Sequence, residues 1–132
     1  MEISRRSLLA GTATFATLAC VTGKVTAEGI ATSEMPKDGI ILTAMVKAKP
    51  GQEEAVKEVL MALVAPTRKE SGCLGYNLHQ SKSDKCQFMF YEQWASKAAF
   101  DAHGKMPYMK ALGGKLKGRT EKGTVTFYEL LK

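Results

Sequence analysis

The sequence predicts an α+β fold in which strands and helices follow the order β-α-β-β-α-β. Three observations lead to this prediction. A strand from Ile40 to Ala48 precedes an amphipathic helix, residues 72–94 form a hairpin rich in aromatic side chains, and a capped helix follows that hairpin directly. An alternating strand from Thr124 to Leu130 comes last. This order is that of the ferredoxin-like, or split βαβ, plan.

The first strand and helix are separated by a clear stop signal. Alternate residues on both faces of the strand are largely apolar, so we expect both faces to be covered. Lys49-Pro50-Gly51 ends the strand, and Glu53 falls in the first helical turn, where the helix dipole favours an acidic side chain. We expect Pro66 to kink the helix and Ser71-Gly72 to end it. Its apolar stripe is Val56, Val59, Leu60, Leu63 and Val64.

The hairpin combines a half-buried strand with an aromatic one. In the first strand Leu74, Tyr76 and Leu78 alternate with small or polar residues, which is the pattern of a strand with one buried face. Residues 82–84 are polar and are expected to form the turn. The second strand, residues 87–94, has aromatic residues at four positions: Phe88, Phe90, Tyr91 and Trp94.

Two of the three cysteines, Cys73 and Cys86, lie within this hairpin. With the turn at residues 82–84, Cys86 lies opposite Gln80, several residues along the ladder from Cys73. At about 3.3 Å per residue the sulfurs are beyond disulfide reach, so we expect no internal disulfide. The chain has no CxxC, HExxH or phosphate-loop motif, and we predict no metal site.

The helix after the hairpin carries the most chemically interesting residue. Ser96 can cap this helix, and Phe100 must fold back onto the hairpin to be buried. That orientation would bring His103 over a sheet that carries Tyr76 and Trp94. Pro107 is expected to begin a second short helical piece.

The two predicted helices cover one face of the sheet, and the other face still carries large apolar residues. A monomer would expose too much apolar surface on that face. We therefore expect a homodimer that packs sheet against sheet.

Residues 1–27 resemble a twin-arginine signal peptide with Arg5-Arg6 before a mildly apolar run. The run is too short and weak for a transmembrane helix, so we expect no stable membrane insertion. Cleavage after Ala27 would export the protein to the periplasm. An ordinary basic N-terminus, or a lipoprotein anchored at Cys20, is the alternative. Residues 28–38 are then a flexible leader, and residues 39–132 form the folded domain.

Cleavage after Ala27 would lower the net charge from +6 to +4, because residues 1–27 hold three of the 19 basic and one of the 13 acidic residues, and this modest excess does not indicate a nucleic-acid partner. Basic residues cluster between Lys105 and Lys122, but Tyr108 is the one aromatic residue among them, so the segment lacks the interleaved stacking residues typical of nucleic-acid recognition. We therefore expect a solvated surface and no nucleic-acid partner.

Three segments resemble the antibiotic biosynthesis monooxygenase superfamily, and within it the quinol monooxygenases. They are KPGQEEAVKEVL, ESGCLGYNLHQS and FMFYEQWASKAAFDAH. The most specific motif is E-x-W followed by A-x-x-x-x-H, here Glu92, Trp94, Ala98 or Ala99, and His103. The resemblance implies a dimeric α+β barrel with a cleft between the sheet and the second helix. It also implies oxidation of phenols and quinols by molecular oxygen, with no metal or flavin cofactor.

Heme-degrading enzymes share the fold that the resemblance implies. Such enzymes typically have Asn on the first strand, Trp on the second helix and an axial His about ten residues later. The corresponding positions here hold Ala44, His103 and Gly113. We therefore predict no heme breakdown.

His103 is the candidate catalytic base, because an imidazole can accept a phenol proton near neutral pH. A structural histidine at a helix surface is the alternative for this residue. The expected substrate-binding residues are aromatic or hydrogen-bonding side chains of the hairpin: Trp94, Tyr76, Asn77, His79, Glu92 and Phe90. Each residue also has an alternative to substrate binding. Trp94 and Tyr76 could instead pack in the core, and His79 could be exposed to solvent. Glu92 could instead form a salt bridge with a lysine.

The sequence and the resemblance together predict a cofactor-independent monooxygenase that oxidises a small quinol or polyphenol. Its partners would be a small aromatic substrate, molecular oxygen and a second copy of the chain. The alternative is a non-catalytic dimeric barrel that binds a small aromatic or hydrophobic ligand.

Overall fold

The computed structural model describes residues 35–131, and the predicted signal peptide and most of the leader lie outside the described residues. The observed order is β-α-β-β-α-α-β, which confirms the predicted fold together with the second helical piece expected at Pro107. The elements are β1 (Ile40–Lys47), α1 (Glu53–Thr67), β2 (Cys73–Gln80), β3 (Gln87–Trp94), α2 (Lys97–Gly104), α3 (Pro107–Leu116) and β4 (Thr124–Tyr128).

The four strands form one antiparallel sheet in the order β2-β3-β1-β4. Because side chains alternate along a strand, the sheet has two distinct faces. The helix-side face packs against α1 and carries the core residues Leu42, Tyr76, Phe88, Phe90 and Trp94. The opposite, open face carries Thr43, Asn77, His79, Met89 and Tyr91.

The predicted hairpin register is wrong by two residues. Gln80 pairs with Phe88, and Cys86 lies in the connecting loop. Asp84 accounts for the longer loop, because its Oδ1 accepts a hydrogen bond from the Cys86 N–H at 3.0 Å and its own N–H donates to Ser81 Oγ at 3.2 Å. A shift of two residues leaves the side chains from Gly75 onward on their predicted faces. The prediction for Leu74 is wrong, because a β-bulge between Cys73 and Gly75 breaks the alternation and leaves Leu74 50% exposed.

The two cysteines of the described residues are both free. Cys73 pairs with Trp94 at the start of β2, whereas Cys86 follows the opposite end of that strand. The sulfurs therefore lie near opposite ends of the hairpin, as the strand geometry requires.

Helix α1 ends at Thr67, before the predicted stop at Ser71-Gly72. Tight turns replace the helix there, since the Lys69 N–H donates to the Pro66 carbonyl at 3.1 Å and the Glu70 N–H to the Thr67 carbonyl at 3.0 Å. Residues 68–72 thus form a compact exit that leads into β2. This exit determines where the Glu70 side chain lies.

The helices after the hairpin begin where the sequence predicts. Ser96 caps α2, and its Oγ accepts a hydrogen bond from the Ala99 N–H at 3.2 Å. Pro107 is the first residue of α3. The last strand is shorter than predicted and ends at Tyr128.

Exposed apolar residues concentrate on β4 and the segment after it. Five large apolar side chains there are at least half exposed: Val125, Phe127, Tyr128, Leu130 and Leu131. The basic residues between Lys105 and Lys122 are exposed, as predicted. Within residues 35–131 no helix combines the length and the apolar character that a membrane span requires.

Candidate active site

The His103 imidazole is buried between α2 and the helix-side face of the sheet. Only 2% of the residue is exposed. Its ring centroid lies 4.7 Å from that of Trp94 and 5.5 Å from that of Tyr76. The cap at Ser96 fixes the start of α2, and His103 follows two helical turns later. The predicted position of His103 over Trp94 and Tyr76 is therefore confirmed.

A carboxylate from the end of α1 contacts this imidazole. The Nδ1 of His103 lies 2.8 Å from Oε1 of Glu70, and both side chains are more than nine-tenths buried. The Tyr108 hydroxyl on α3 donates a hydrogen bond to the same Oε1. The other imidazole nitrogen, Nε2, is buried and has no hydrogen-bond partner in the described chain.

The floor of the site holds a second buried carboxyl group. Trp94 Nε1 donates to Oε2 of Glu92 at 2.9 Å, so Glu92 pairs with an indole and not with a lysine. Burial raises the pKa of Glu92, although the hydrogen bond from Trp94 opposes this effect. Burial also raises the pKa values of the Tyr76 and Tyr108 hydroxyls, which therefore stay protonated at neutral pH.

The structure brings most, but not all, of the predicted site residues together. Trp94, Tyr76 and Phe90 share the helix-side face with Glu92, and the Tyr76 and Phe90 ring centroids are 4.8 Å apart. The other two predicted residues lie on the opposite, open face of the sheet.

Asn77 and His79 do not contact the imidazole cluster. Asn77 Oδ1 accepts a hydrogen bond from Arg68 Nη2 at 2.8 Å, and the Arg68 Nε donates to the Tyr76 carbonyl at 2.9 Å. His79 is exposed and pairs across the strands with Met89. A single pocket that contains both His103 and these two residues is therefore not formed within one chain.

Two residues of the site escaped the sequence analysis. Glu70 stands just before Gly72 in a segment that the sequence predicts as helix end, and Tyr108 directly follows Pro107. A buried histidine needs a hydrogen-bond partner, so the predicted burial of His103 was the one sequence signal that pointed to a nearby carboxylate. Residues of three separate elements form the contact, and no local motif marks it.

Three open cavities, of about 360, 250 and 220 Å³, border the described residues. The first lies beside Ile41 and Tyr128, the second beside Arg68 and Tyr76, and the third beside Met45 and Met89. None of these three is lined by His103. Within residues 35–131, no group of three or more His, Cys, Asp and Glu side chains could hold a metal ion.

The strand order and the helix positions define a ferredoxin-like α+β protein with a buried carboxylate–imidazole pair. A family model described as antibiotic biosynthesis monooxygenase matches residues 39–113, which is more than half of the chain. The chain belongs to the antibiotic biosynthesis monooxygenase family. The family resemblance found in the sequence is thereby confirmed.

Known relatives extend this comparison. A Synechocystis protein described as uncharacterized is 31% identical over 71 residues, which cover 54% of this chain and 48% of that protein. The chain thus spans about half the length of that relative. A Mycobacterium tuberculosis protein named "Putative monooxygenase" is 30% identical over 69 residues, which cover 52% of this chain and 67% of that protein.

A solved structure supports the fold. The crystal structure of a Pseudomonas aeruginosa protein superimposes with a TM-score of 0.69 at 33% sequence identity. The match covers 72% of this chain and 96% of that chain.

Proposed function

We propose that this protein is a monooxygenase that oxidises a small quinol or polyphenol with molecular oxygen and without a cofactor. A quinol and one oxygen molecule give a hydroxyquinone and one water molecule, so the quinol supplies all the electrons that reduce oxygen. The protein must remove a phenol proton, hold the aromatic ring and exclude water. Monooxygenase names among its relatives support this class of reaction.

The observation that carries the proposal is the unpartnered Nε2 of His103 beside the aromatic ring of Trp94. A buried polar atom without a partner is uncommon and is typical of functional positions. Nε2 accepts the phenol proton, and the resulting electron-rich phenolate can transfer an electron to oxygen. The proton returns to the oxygen atom that leaves as water.

Oxygen uptake with a panel of hydroquinones tests the proposal. We expect uptake by the wild type and a loss of about 100-fold or more in His103→Ala. Lys110→Ala is the control, because Lys110 is exposed on α3 and is not one of the predicted site residues, so this variant should keep wild-type oxygen uptake. An active His103→Ala enzyme would rule out the assigned base.

A binding protein without turnover is the second candidate. The close packing of the imidazole against Trp94 and Tyr76 favours it, as does the absence of His103 from the lining of the three cavities. Trp94 is the only tryptophan of the chain, so its fluorescence reports on ligands at this site. A quinone analogue that quenches this fluorescence and stabilises the protein, without oxygen consumption, would support binding alone.

The homodimer belongs to the same proposal. Exposed apolar side chains on β4 and the segment after it support it, because a monomer would present them to water. β4 is also an edge strand, whose free backbone groups invite pairing or coverage. A solution mass of twice the chain mass at micromolar concentration is the expected result, and a clean monomer would contradict it.

Export through the twin-arginine pathway is proposed from the sequence of residues 1–27. A mature periplasmic protein that begins at Glu28 is the expected result of N-terminal mass spectrometry. Replacement of Arg5-Arg6 by Lys-Lys should retain the protein in the cytoplasm.

A further inference from the structure

The two ring nitrogens of His103 have different surroundings. Nδ1 is 2.8 Å from a Glu70 oxygen, whereas Nε2 is buried and has no partner in the described chain. A neutral imidazole has one nitrogen that donates and one that accepts, and the hydrogen bond at one nitrogen decides which is which.

The Glu70 contact fixes this choice. An ionised carboxylate can only accept hydrogen bonds, so an unprotonated Nδ1 would set two acceptors against each other at 2.8 Å. The hydrogen must therefore lie on Nδ1, which leaves a lone pair on Nε2. We infer that Glu70, held in place by Tyr108, is the positioning residue that makes Nε2 of His103 the proton acceptor of this site. This inference rests on the proposed function, since it names the atom and the supporting residues of the base.

Tyr108 makes the carboxylate orientation specific. Its hydroxyl donates to the same Glu70 Oε1 that contacts His103. Two donors, His103 Nδ1 on α2 and the Tyr108 hydroxyl on α3, therefore bind one oxygen of the Glu70 carboxylate. Burial and the hydrogen bond to Glu70 both raise the pKa of Tyr108, which keeps it a donor. With both donors in place, the Glu70 side chain has little rotational freedom.

The arrangement matters most when the proton moves. Once Nε2 accepts a proton, the ring becomes an imidazolium, and the negative charge of Glu70 stabilises it. The other titratable groups around the ring, Glu92 and Tyr76, make no hydrogen bond to it. Glu70 and Tyr108 act through His103 and are positioning residues rather than catalytic ones.

Nitrogen NMR of the full chain labelled with ¹⁵N-histidine tests the tautomer directly. The chain has two histidines, and exposed His79 serves as the internal reference, assigned with His79→Gln. At about pH 9, where ordinary histidines are neutral, we expect His103 to carry its proton on Nδ1. We expect His79 to favour the Nε2–H form of imidazole in water. A proton on Nε2 of His103 would overturn the inference.

Variants of the supporting residues separate positioning from simple structural support. Glu70→Gln keeps an acceptor oxygen and should preserve the Nδ1–H tautomer, yet it removes the charge that stabilises the imidazolium. We expect unchanged thermal stability, an unchanged KM and a kcat reduced about tenfold or more. Glu70→Ala should lose the tautomer preference as well, and Tyr108→Phe should show a smaller loss of kcat. Glu58→Gln, at an exposed position on α1, is the matched control.

The outcomes distinguish this inference from the proposed function. Wild-type kcat in Glu70→Gln and Glu70→Ala would overturn the inference and leave the oxygenase proposal intact. A wild-type protein that consumes no oxygen with any quinol would end the oxygenase proposal, and the tautomer spectrum would still decide whether Glu70 positions His103.

Discussion

The indole N–H of Trp94 donates to the Glu92 carboxyl group at 2.9 Å, between two residues that share one face of β3. Both residues are buried, and the ring of Trp94 also supports the His103 imidazole. Trp94 thus contacts the imidazole with its ring and donates its indole N–H to a buried carboxyl group. The protonation state of this carboxyl group should influence both the stability of the fold and the charge of the site.

Glu92 should make the fold less stable at higher pH. Burial raises its folded pKa above the ordinary value of 4.5, so the folded state binds the proton more tightly than the unfolded chain. The stabilisation is therefore complete below about pH 4.5 and is lost as the pH rises through the folded pKa. Glu92→Gln keeps an acceptor for Trp94 and cannot ionise. In urea unfolding we expect the stability of this variant relative to the wild type to rise between pH 4 and pH 8, and a constant difference would contradict the raised pKa.

The Ser96 cap should stabilise α2 measurably. Its Oγ satisfies the Ala99 N–H, one of the free donors at the helix start. Ser96→Ala should lower the free energy of unfolding by about 1 kcal/mol. Ser83→Ala, in the exposed hairpin loop, is the control and should change it by less than about 0.5 kcal/mol. Equal effects of the two substitutions in urea denaturation would show that the cap contributes nothing.

Gly72 is the tightest point between the α1 exit and α2. Its φ is +83°, and an added Cβ would lie 2.6 Å from the Ala99 Cβ. Gly72→Ala should therefore cost about 1–2 kcal/mol for the backbone and about 1–3 kcal/mol more for the overlap. Gly51→Ala is a matched control, because Gly51 has a φ of +82° and open space around its Cβ position. If both variants lose the same unfolding free energy, the packing against Ala99 is looser than described.

The residues above show what the sequence can and cannot predict about this site. His103 could be placed because a capped helix start and the helical repeat determine which side of α2 it occupies. The strand period already separates Asn77 and His79 from Tyr76, since they stand at odd spacings from it. The alternation therefore places Asn77 and His79 on the open face, apart from the imidazole cluster, and their role in substrate binding stays a prediction.

The position of the Glu70 side chain and the hairpin register both depend on interactions that produce no periodic pattern in the sequence. Two main-chain hydrogen bonds, donated by Lys69 and Glu70, set the path of the chain after α1. The length of the hairpin loop depends on the two hydrogen bonds that Asp84 makes. Such contacts form between irregular segments, where side-chain chemistry and not hydrophobic period sets the geometry. The fold class could be predicted because its elements each carry a period, whereas the Glu70–His103 pair joins two elements across the core.

The exposed apolar surface of β4 should be the weak point of the proposed dimer. Val125 is 56% exposed, on the helix-side face beside Phe127, so a lysine there would remove apolar surface and introduce charge without disturbing the core. We expect Val125→Lys to shift the protein toward the monomer in sedimentation experiments at micromolar concentration. Met61→Lys, at a position 54% exposed on α1, should leave the association unchanged. A dimer that is insensitive to Val125→Lys but dissociates in Met89→Lys would be the predicted sheet-against-sheet dimer formed by the open face, and it would contradict a contribution from the helix-side face of β4.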